Sequence, residues 1–349
     1  MGKKRVTLAD VAKLAGLSTS AASMIMTGRP DTRLSADAHA KVHAAAASLG
    51  YRPNVAARAL RTDKSRSIAL ISDYVATTRF ASGLIRGALA AAEAAKHVML
   101  VLETAGEPAR EIEAVEAALD RQVDGVIFAA MRAREVFVPD VSINVPIVML
   151  NGTSARFPTA VLPDEYEGGR SAVRLLLGTG ITDDIVLLGH NPDEEEGLFR
   201  SASIARRIAG VRDEMAAAGV AFAHELSCWN WEPAHGFDLV HALLKQHRPK
   251  AILCLNDRLA FGAYQALGEA GLSIPGDVSL VSFDNDELAS YLRPGLTTIA
   301  LPHEAMGRRA VEMLLDRNSG GEALIPMPSV IRGSLRPNDR IKNLTTSLS

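Results

Sequence analysis

The sequence predicts an all-α helix–turn–helix head followed by an α/β body of two doubly wound lobes. Three observations carry that expectation. Residues 6–28 read as two short helices joined by a glycine turn. Residues 1–64 carry a net charge of +7 while the whole 349-residue chain carries −2, so the rest carries −9. From Ser67 onward, uniformly apolar strands alternate with helices, the texture of parallel sheets covered on both faces.

In the head, Thr7 opens the first helix and Asp10 sits three residues on, the spacing of a capping box. Leu8, Val11, Ala12, Leu14 and Ala15 recur at helical spacing and form one apolar face. Gly16 supplies the turn, where a positive φ costs a glycine little. Ser18 caps a second helix of small, uncharged residues whose outline suits a major groove. A third helix runs from Ser35 to Leu49 and ends at Gly50. Asn54 then caps a segment of only about two turns, Tyr51 to Arg61, too short to be firmly helical on its own. A basic head on an acidic body points to phosphate contact through the head alone.

In the body, strands are expected at Ile68–Ser72, Val98–Leu102, Gly125–Phe128 and Pro146–Leu150, with helices at Phe80–Lys96 and Glu111–Arg121. A second run has strands at Asp184–Leu188, Glu225–Cys228, Ala251–Leu255 and Val278–Phe283. Its helices lie at Gly168–Leu177, Ala202–Ala218, Pro233–Gln246 and Arg258–Ala270. Two such halves in succession imply two lobes with a cleft between them, and ligands of open parallel sheets bind beyond the carboxyl ends of the strands.

Four motifs, in order along the chain, are Thr7-Leu-Ala-Asp-Val-Ala-x-x-Ala-Gly-x-Ser18, Gly50-Tyr-x-Pro-Asn-x-x-Ala-x-x-Leu60, Leu272-Ser-Ile-Pro-Gly-Asp-Val-Ser-Leu-Val-Ser-Phe-Asp284 and Pro294-x-Leu-Thr-Thr298. Through them the chain resembles the lactose-repressor (LacI) and purine-repressor family of bacterial transcription factors. The resemblance implies a helix–turn–helix DNA-binding domain at 1–50 and a hinge helix or linker at 51–66. A two-lobed, periplasmic-binding-protein-like domain that binds an effector and dimerises would fill 67–340, before a polar tail at 341–349.

The same resemblance places Thr19, Ser20, Ser23 and Met24 toward the major groove of a pseudo-palindromic double-stranded DNA operator. Thr7, Ser18, Arg29, Tyr51 and Asn54 join them at the interface, and Leu60 becomes a minor-groove wedge between Arg58 and Arg61. Many members carry arginine where this chain has Met24, so the bidentate grip on guanine is missing here. Met24 has packing in the head core as its alternative, and Leu60 has packing on its own body. Two wedges imply a twofold homodimer, and the tail lacks a heptad pattern that could join two dimers.

For the effector, the resemblance nominates Asp73, Phe80, Asn151, Asp164, Arg207, Trp231, Asn256 and Asp284, a set that suits a sugar or sugar derivative. Asn151 stands where some sugar-binding members carry aspartate. The alternatives are helix capping for Asn256 and Asp284, a surface ion pair for Arg207 and core packing for Trp231 or Trp229. A corepressor-dependent regulator with a purine-like ligand and a two-lobed sugar-transport receptor are the other readings of the whole.

Catalysis is not expected. No Gly-x-x-x-x-Gly-Lys-Ser/Thr loop, Gly-x-Ser-x-Gly elbow or His-Glu-x-x-His pair occurs. Cys228 and Cys254 are the only cysteines, too few for a disulfide framework or a zinc cage, and Asp193 to Glu196 reads as a solvated loop. No cofactor, metal or membrane partner is expected. With no apolar leader after Met1-Gly-Lys-Lys-Arg, the expected location is cytoplasmic.

Overall fold

A computed structural model describes residues 6–27, 34–52, 64–78, 81–192, 201–316 and 319–337. The chain divides into two units, Met1–Arg66 and Ser67–Ser349.

The head unit contains α1 (Leu8–Ala15), α2 (Thr19–Met26) and α3 (Ala36–Leu49). The capping box forms: the Thr7 N–H donates to the Asp10 carboxylate at 2.8 Å, and the Asp10 N–H donates to the Thr7 hydroxyl at 3.3 Å. Gly16 takes φ 68°, which lets the Leu17 N–H return to the Ala12 carbonyl and close the helix. Ser18 and Ser35 accept from Ala21 and Ala38 and start the next two helices. Val11, Ala12, Ala15, Ala22, Ile25, Val42, Ala45 and Ala46 form the core, with Leu8, Met26 and Tyr51 packed on it. Leu14 departs from the expected face: at about 100° per residue it falls on the flank of the stripe set by residues 8, 11, 12 and 15, and it is 56% exposed.

The body contains two six-stranded sheets. The first has the order β11-β5-β4-β3-β1-β2, all parallel, from β1 (Ser67–Ser72), β2 (Val98–Glu103), β3 (Val126–Glu135), β4 (Ile147–Thr153), β5 (Ala160–Pro163) and β11 (Glu322–Ile325). The second has the order β12-β10-β9-β8-β6-β7, from β6 (Ile185–Leu188), β7 (His224–Leu226), β8 (Ala251–Cys254), β9 (Ser279–Asp284), β10 (Thr297–Ala300) and β12 (Ser329–Val330). Of these, only β12 runs antiparallel.

The two lobes are not simply successive. The chain crosses between the sheets after β5, again after β10 and once more after β11, so β11 completes the first sheet and β12 the second. Sequence reading omitted β5, β10, β11 and β12, short runs in which Pro163, Thr297 and Thr298, Glu322 and Ser329 respectively interrupt the apolar pattern.

Three helix pairs cover the sheets: α4 (Ser82–Ala94) with α11 (His303–Leu315), α6 (Glu165–Leu177) with α7 (Ala202–Ala217), and α8 (Pro233–Leu244) with α9 (Asp257–Glu269). Each pair meets through reciprocal glycines. A Cβ on Gly87 would lie 2.0 Å from the Glu304 carbonyl oxygen, and one on Gly307 would lie 2.0 Å from that of Leu84. Gly169 and Gly210 do the same against Arg207 and Tyr166, and Gly236 and Gly262 against Leu259 and Pro233. Backbones can approach this closely only where both helices lack a side chain. The remaining helices are α5 (Pro108–Asp120) and α10 (Glu287–Tyr291).

Candidate functional site

In the head, α2 presents its polar edge outward. Thr19 and Ser20 are exposed, while Ala21, Ala22 and Ile25 are buried. Ser23 and Met24 are half-buried. Ile25 and Met26 take the places in the head core, and Met24 is not among the side chains packed there. Thr7 and Ser18 spend their hydroxyls on capping. Tyr51 packs on the core with part of its ring accessible. Arg29, Asn54, Leu60 and the flanking Arg58 and Arg61 lie outside the described residues.

Between the lobes of the body lies a cleft of about 1200 Å³. The first lobe contributes Thr78, Ser82, Gly83, Arg86 and Met131. The second contributes Glu232, Asn256, Arg258, Asp284, Asn285, Asp286, Glu287, Leu288 and Tyr291, and the crossover Leu301 to Ala305 closes one side. Of the expected effector residues, Asn256 and Asp284 line this cleft. Phe80 lies outside the described residues, as does Asp193 to Glu196.

The other expected residues stand behind the walls, and each is occupied. Strand β3 shifts register between Ala129 and Arg134, which frees backbone groups at its cleft end. Asp73 Oδ1 accepts the Met131 N–H at 2.9 Å, and Asn151 Nδ2 donates to the carbonyls of Ala130 at 2.9 Å and Met131 at 3.2 Å. Asp73 and Asn151 thus clamp the irregular segment that puts Met131 on the cleft wall. Asp164 caps α6 by accepting from the Glu167 N–H at 3.2 Å. Trp231 donates its indole N–H to the Gly189 carbonyl at 2.9 Å. Asn256 caps α9 through Leu259 and donates to the Trp231 carbonyl, so it lines the cleft with its polar atoms already engaged.

Arg207 is the centre of the second lobe and is not a surface residue: it is 2% exposed. Glu165 holds it in a bidentate pair, Nε to Oε2 at 2.7 Å and Nη2 to Oε1 at 2.9 Å, and Nη1 donates to the Leu255 carbonyl at 2.6 Å. Its guanidinium lies 4.3 Å from the Phe283 ring centroid and 6.0 Å from that of Trp231. Burial opposes the Arg207 charge, and the carboxylates of Glu165, Asp284 and Asp257 together more than offset it, so its pKa rises. Sequence reading missed Glu165, whose partner is 42 residues away and on another helix.

Beside this pair, Asp284 ends β9 with φ 104°, and Asn285 follows at φ 55°. A non-glycine residue at such a φ is strained, and such strain gathers at ligand sites. The Asp284 side chain is 12% exposed, and Arg207 Nη2 stands 4.0 Å from its Oδ1. Burial pushes its carboxyl well above the usual range, with Arg207 opposing. Below it, Asp257 is fully buried and accepts from the Ser282 hydroxyl and, at 2.7 Å, from the Asp286 N–H. Burial raises the Asp257 carboxyl to about 6 against those hydrogen bonds. These contacts fix the Asp284–Glu287 turn that forms the cleft floor. Burial also pushes the Cys254 thiol up, which makes it a poor nucleophile. Among the described residues, no three His, Cys, Asp or Glu side chains are grouped to hold a metal ion, and no helix is long and apolar enough to cross a membrane.

Comparison with known proteins matches both units. Residues 7–54 match the bacterial regulatory proteins of the lacI family, and residues 173–335 match the periplasmic binding protein-like domain. The HTH-type transcriptional repressor PurR of Vibrio campbellii is 30% identical over 322 residues, which span 89% of this chain and 91% of that protein. The ribose operon repressor of Escherichia coli K12 is 30% identical over 320 residues, 89% of this chain and 92% of that protein. The crystal structure of the Lac repressor dimer bound to operator and the anti-inducer ONPF superposes with a TM-score of 0.76 at 28% identity, covering 95% of this chain and 99% of that one. A DNA-reading head, a two-lobed body and repressors related across nine-tenths of the chain agree: this protein belongs to the lacI family of bacterial regulatory proteins.

Proposed function

We propose that this protein is a cytoplasmic, non-enzymatic repressor that binds a pseudo-palindromic operator as a homodimer and is switched by a small polyhydroxylated molecule, a sugar or sugar derivative, in the cleft. The observation that carries the DNA half is the surface of α2, where Thr19 and Ser20 are exposed beside half-buried Ser23 and Met24 on a helix firmly capped at Ser18. Hydroxyls pair with several bases and Met24 packs, so affinity leans on phosphate contacts from the basic head. Arg29, Asn54 and the Leu60 wedge extend this interface on the strength of the sequence resemblance.

The lining of the cleft favours a polyol over a purine. Besides the imidazole of His303, Tyr291 is the one aromatic ring among the described lining residues, whereas carboxylates and amides are many. The operator-bound Lac repressor dimer and the ribose operon repressor support the homodimer and the sugar class, respectively. Asp73, Asn151, Asp164, Arg207 and Trp231 would then act as the frame of the effector site, with Asn256 and Asp284 facing the ligand.

Selection of bound duplexes from a random library with the full-length protein tests the DNA half. The expected result is one enriched pseudo-palindrome with an easily kinked centre. Retention of random duplex alone, with affinity falling steeply in salt, would contradict the assignment of α2.

A further inference from the structure

The described lining of the cleft is unbalanced in charge. Among its described lining residues, five carboxylates (Glu232, Asp284, Asp286, Glu287 and Glu304) face two guanidinium groups (Arg86 and Arg258). Both cations are already committed within the cleft. Arg86 pairs with Glu304 at 2.8 Å, and Arg258 Nε donates to Glu232 at 3.1 Å. Arg207, the cation nearest the floor, is neutralised by the bidentate grip of Glu165 and adds no net charge.

Asp284 is left short of partners. No hydrogen-bond donor among the described residues reaches its carboxylate, and its nearest cation is that same occupied Arg207 at 4.0 Å. A carboxylate so enclosed costs free energy until a donor satisfies it, and burial, with the nearby carboxylates of Asp257, Glu165 and Asp286, raises its pKa against the opposing Arg207. Asp286, two residues on, uses Oδ1 to cap α10 and adds a second negative group at the same end of the cleft.

We propose that the effector carries a protonated amine beside its hydroxyls, as an amino sugar does, and that the amine docks on Asp284. This rests on the reading of the cleft as the effector site. An ammonium supplies both what Asp284 lacks, several N–H donors and a positive charge, whereas a neutral hydroxyl supplies one donor and no charge. A phosphorylated or carboxylated sugar would meet Asp284 and Asp286 with like charge and with Arg207 already taken, so anionic ligands are rejected.

Isothermal titration of the full-length protein with matched probes tests this: glucosamine against glucose, galactosamine against galactose, mannosamine against mannose, and glucose 6-phosphate as the anion. At least one amine should bind about tenfold or more tightly than its hydroxyl counterpart, the gain expected of a charge-assisted hydrogen bond. Asp284→Asn should remove most of that preference, weakening the amine several-fold more than its hydroxyl counterpart, because the variant keeps an acceptor for a hydroxyl and loses the charge that an ammonium needs. The variant should fold, because asparagine tolerates positive φ and no native hydrogen bond is lost. If no amine outbinds its counterpart, the proposal is overturned. In that case, binding of a neutral sugar or the phosphate that is lost on Asn256→Ala keeps the cleft reading. Absence of binding by every probe counts against the cleft reading as well.

Discussion

Glu165→Ala is expected to lower the stability of the 67–349 unit by about 3–5 kcal/mol, the cost typical of removing one partner of a buried ion pair. Glu165 and Arg207 are 3% and 2% exposed, so water does not reach the guanidinium once the carboxylate is gone. Among the described residues, the Leu255 carbonyl and the distant Asp284 carboxylate are then its remaining hydrogen-bond and ion-pair partners. In thermal unfolding this corresponds to a fall of roughly 10 °C for a unit of this size. Adding Arg207→Met to Glu165→Ala should recover much of the loss, since the double variant buries no lone charge. A fall below about 1 kcal/mol for the single variant would mean that the pair is solvated and does not organise the lobe.

Gly210→Ala carries the second large effect. Its new Cβ would stand 2.0 Å from the Tyr166 carbonyl oxygen and 2.9 Å from the carbonyl carbon, both backbone atoms that cannot swing aside. Helices α6 and α7 must separate, and these are the helices that carry Glu165 and Arg207. Overpacking of this kind costs about 1–3 kcal/mol, and the ion pair loosens with it. Gly268→Ala provides the opposite control. It sits on the exposed side of α9 with nothing within 4 Å of the added Cβ, so the variant should gain about 0.5–1 kcal/mol from helix propensity. Urea unfolding of both variants checks the pair, and equal shifts in one direction would refute the close-approach argument.

Local rules made the head legible. The capping box of Thr7 and Asp10, the turn at Gly16 and the cap at Ser18 each act within four residues, and all three appear in the structure. The strands β1, β4 and β6 were equally plain, since their consecutive Ile, Leu, Val and Met residues leave a clear signature. What sequence reading could not supply was the three-fold crossing between lobes, which depends on β11 returning to β5 in the first sheet and β12 to β10 in the second. The reciprocal glycines were invisible for the same reason, because each is explained only by the helix it faces. Asp73 and Asn151 were nominated through the family resemblance as effector contacts, but their partners are the backbone of the β3 irregularity, which no periodicity announces. Glu165 looked like an ordinary acidic residue in the first turn of a helix, where the dipole favours it. Its burial against Arg207 is a property of the packed lobe.

If the DNA-reading head answers to the ligand cleft, the two binding equilibria must be linked. The selected duplex is titrated with the full-length protein, with and without the saturating cleft ligand, and the ligand is then titrated with and without duplex. Ligand is expected to change DNA affinity by at least about fivefold, and DNA to change ligand affinity by the same factor in the same direction. DNA affinity that does not move while the cleft is filled would contradict that linkage.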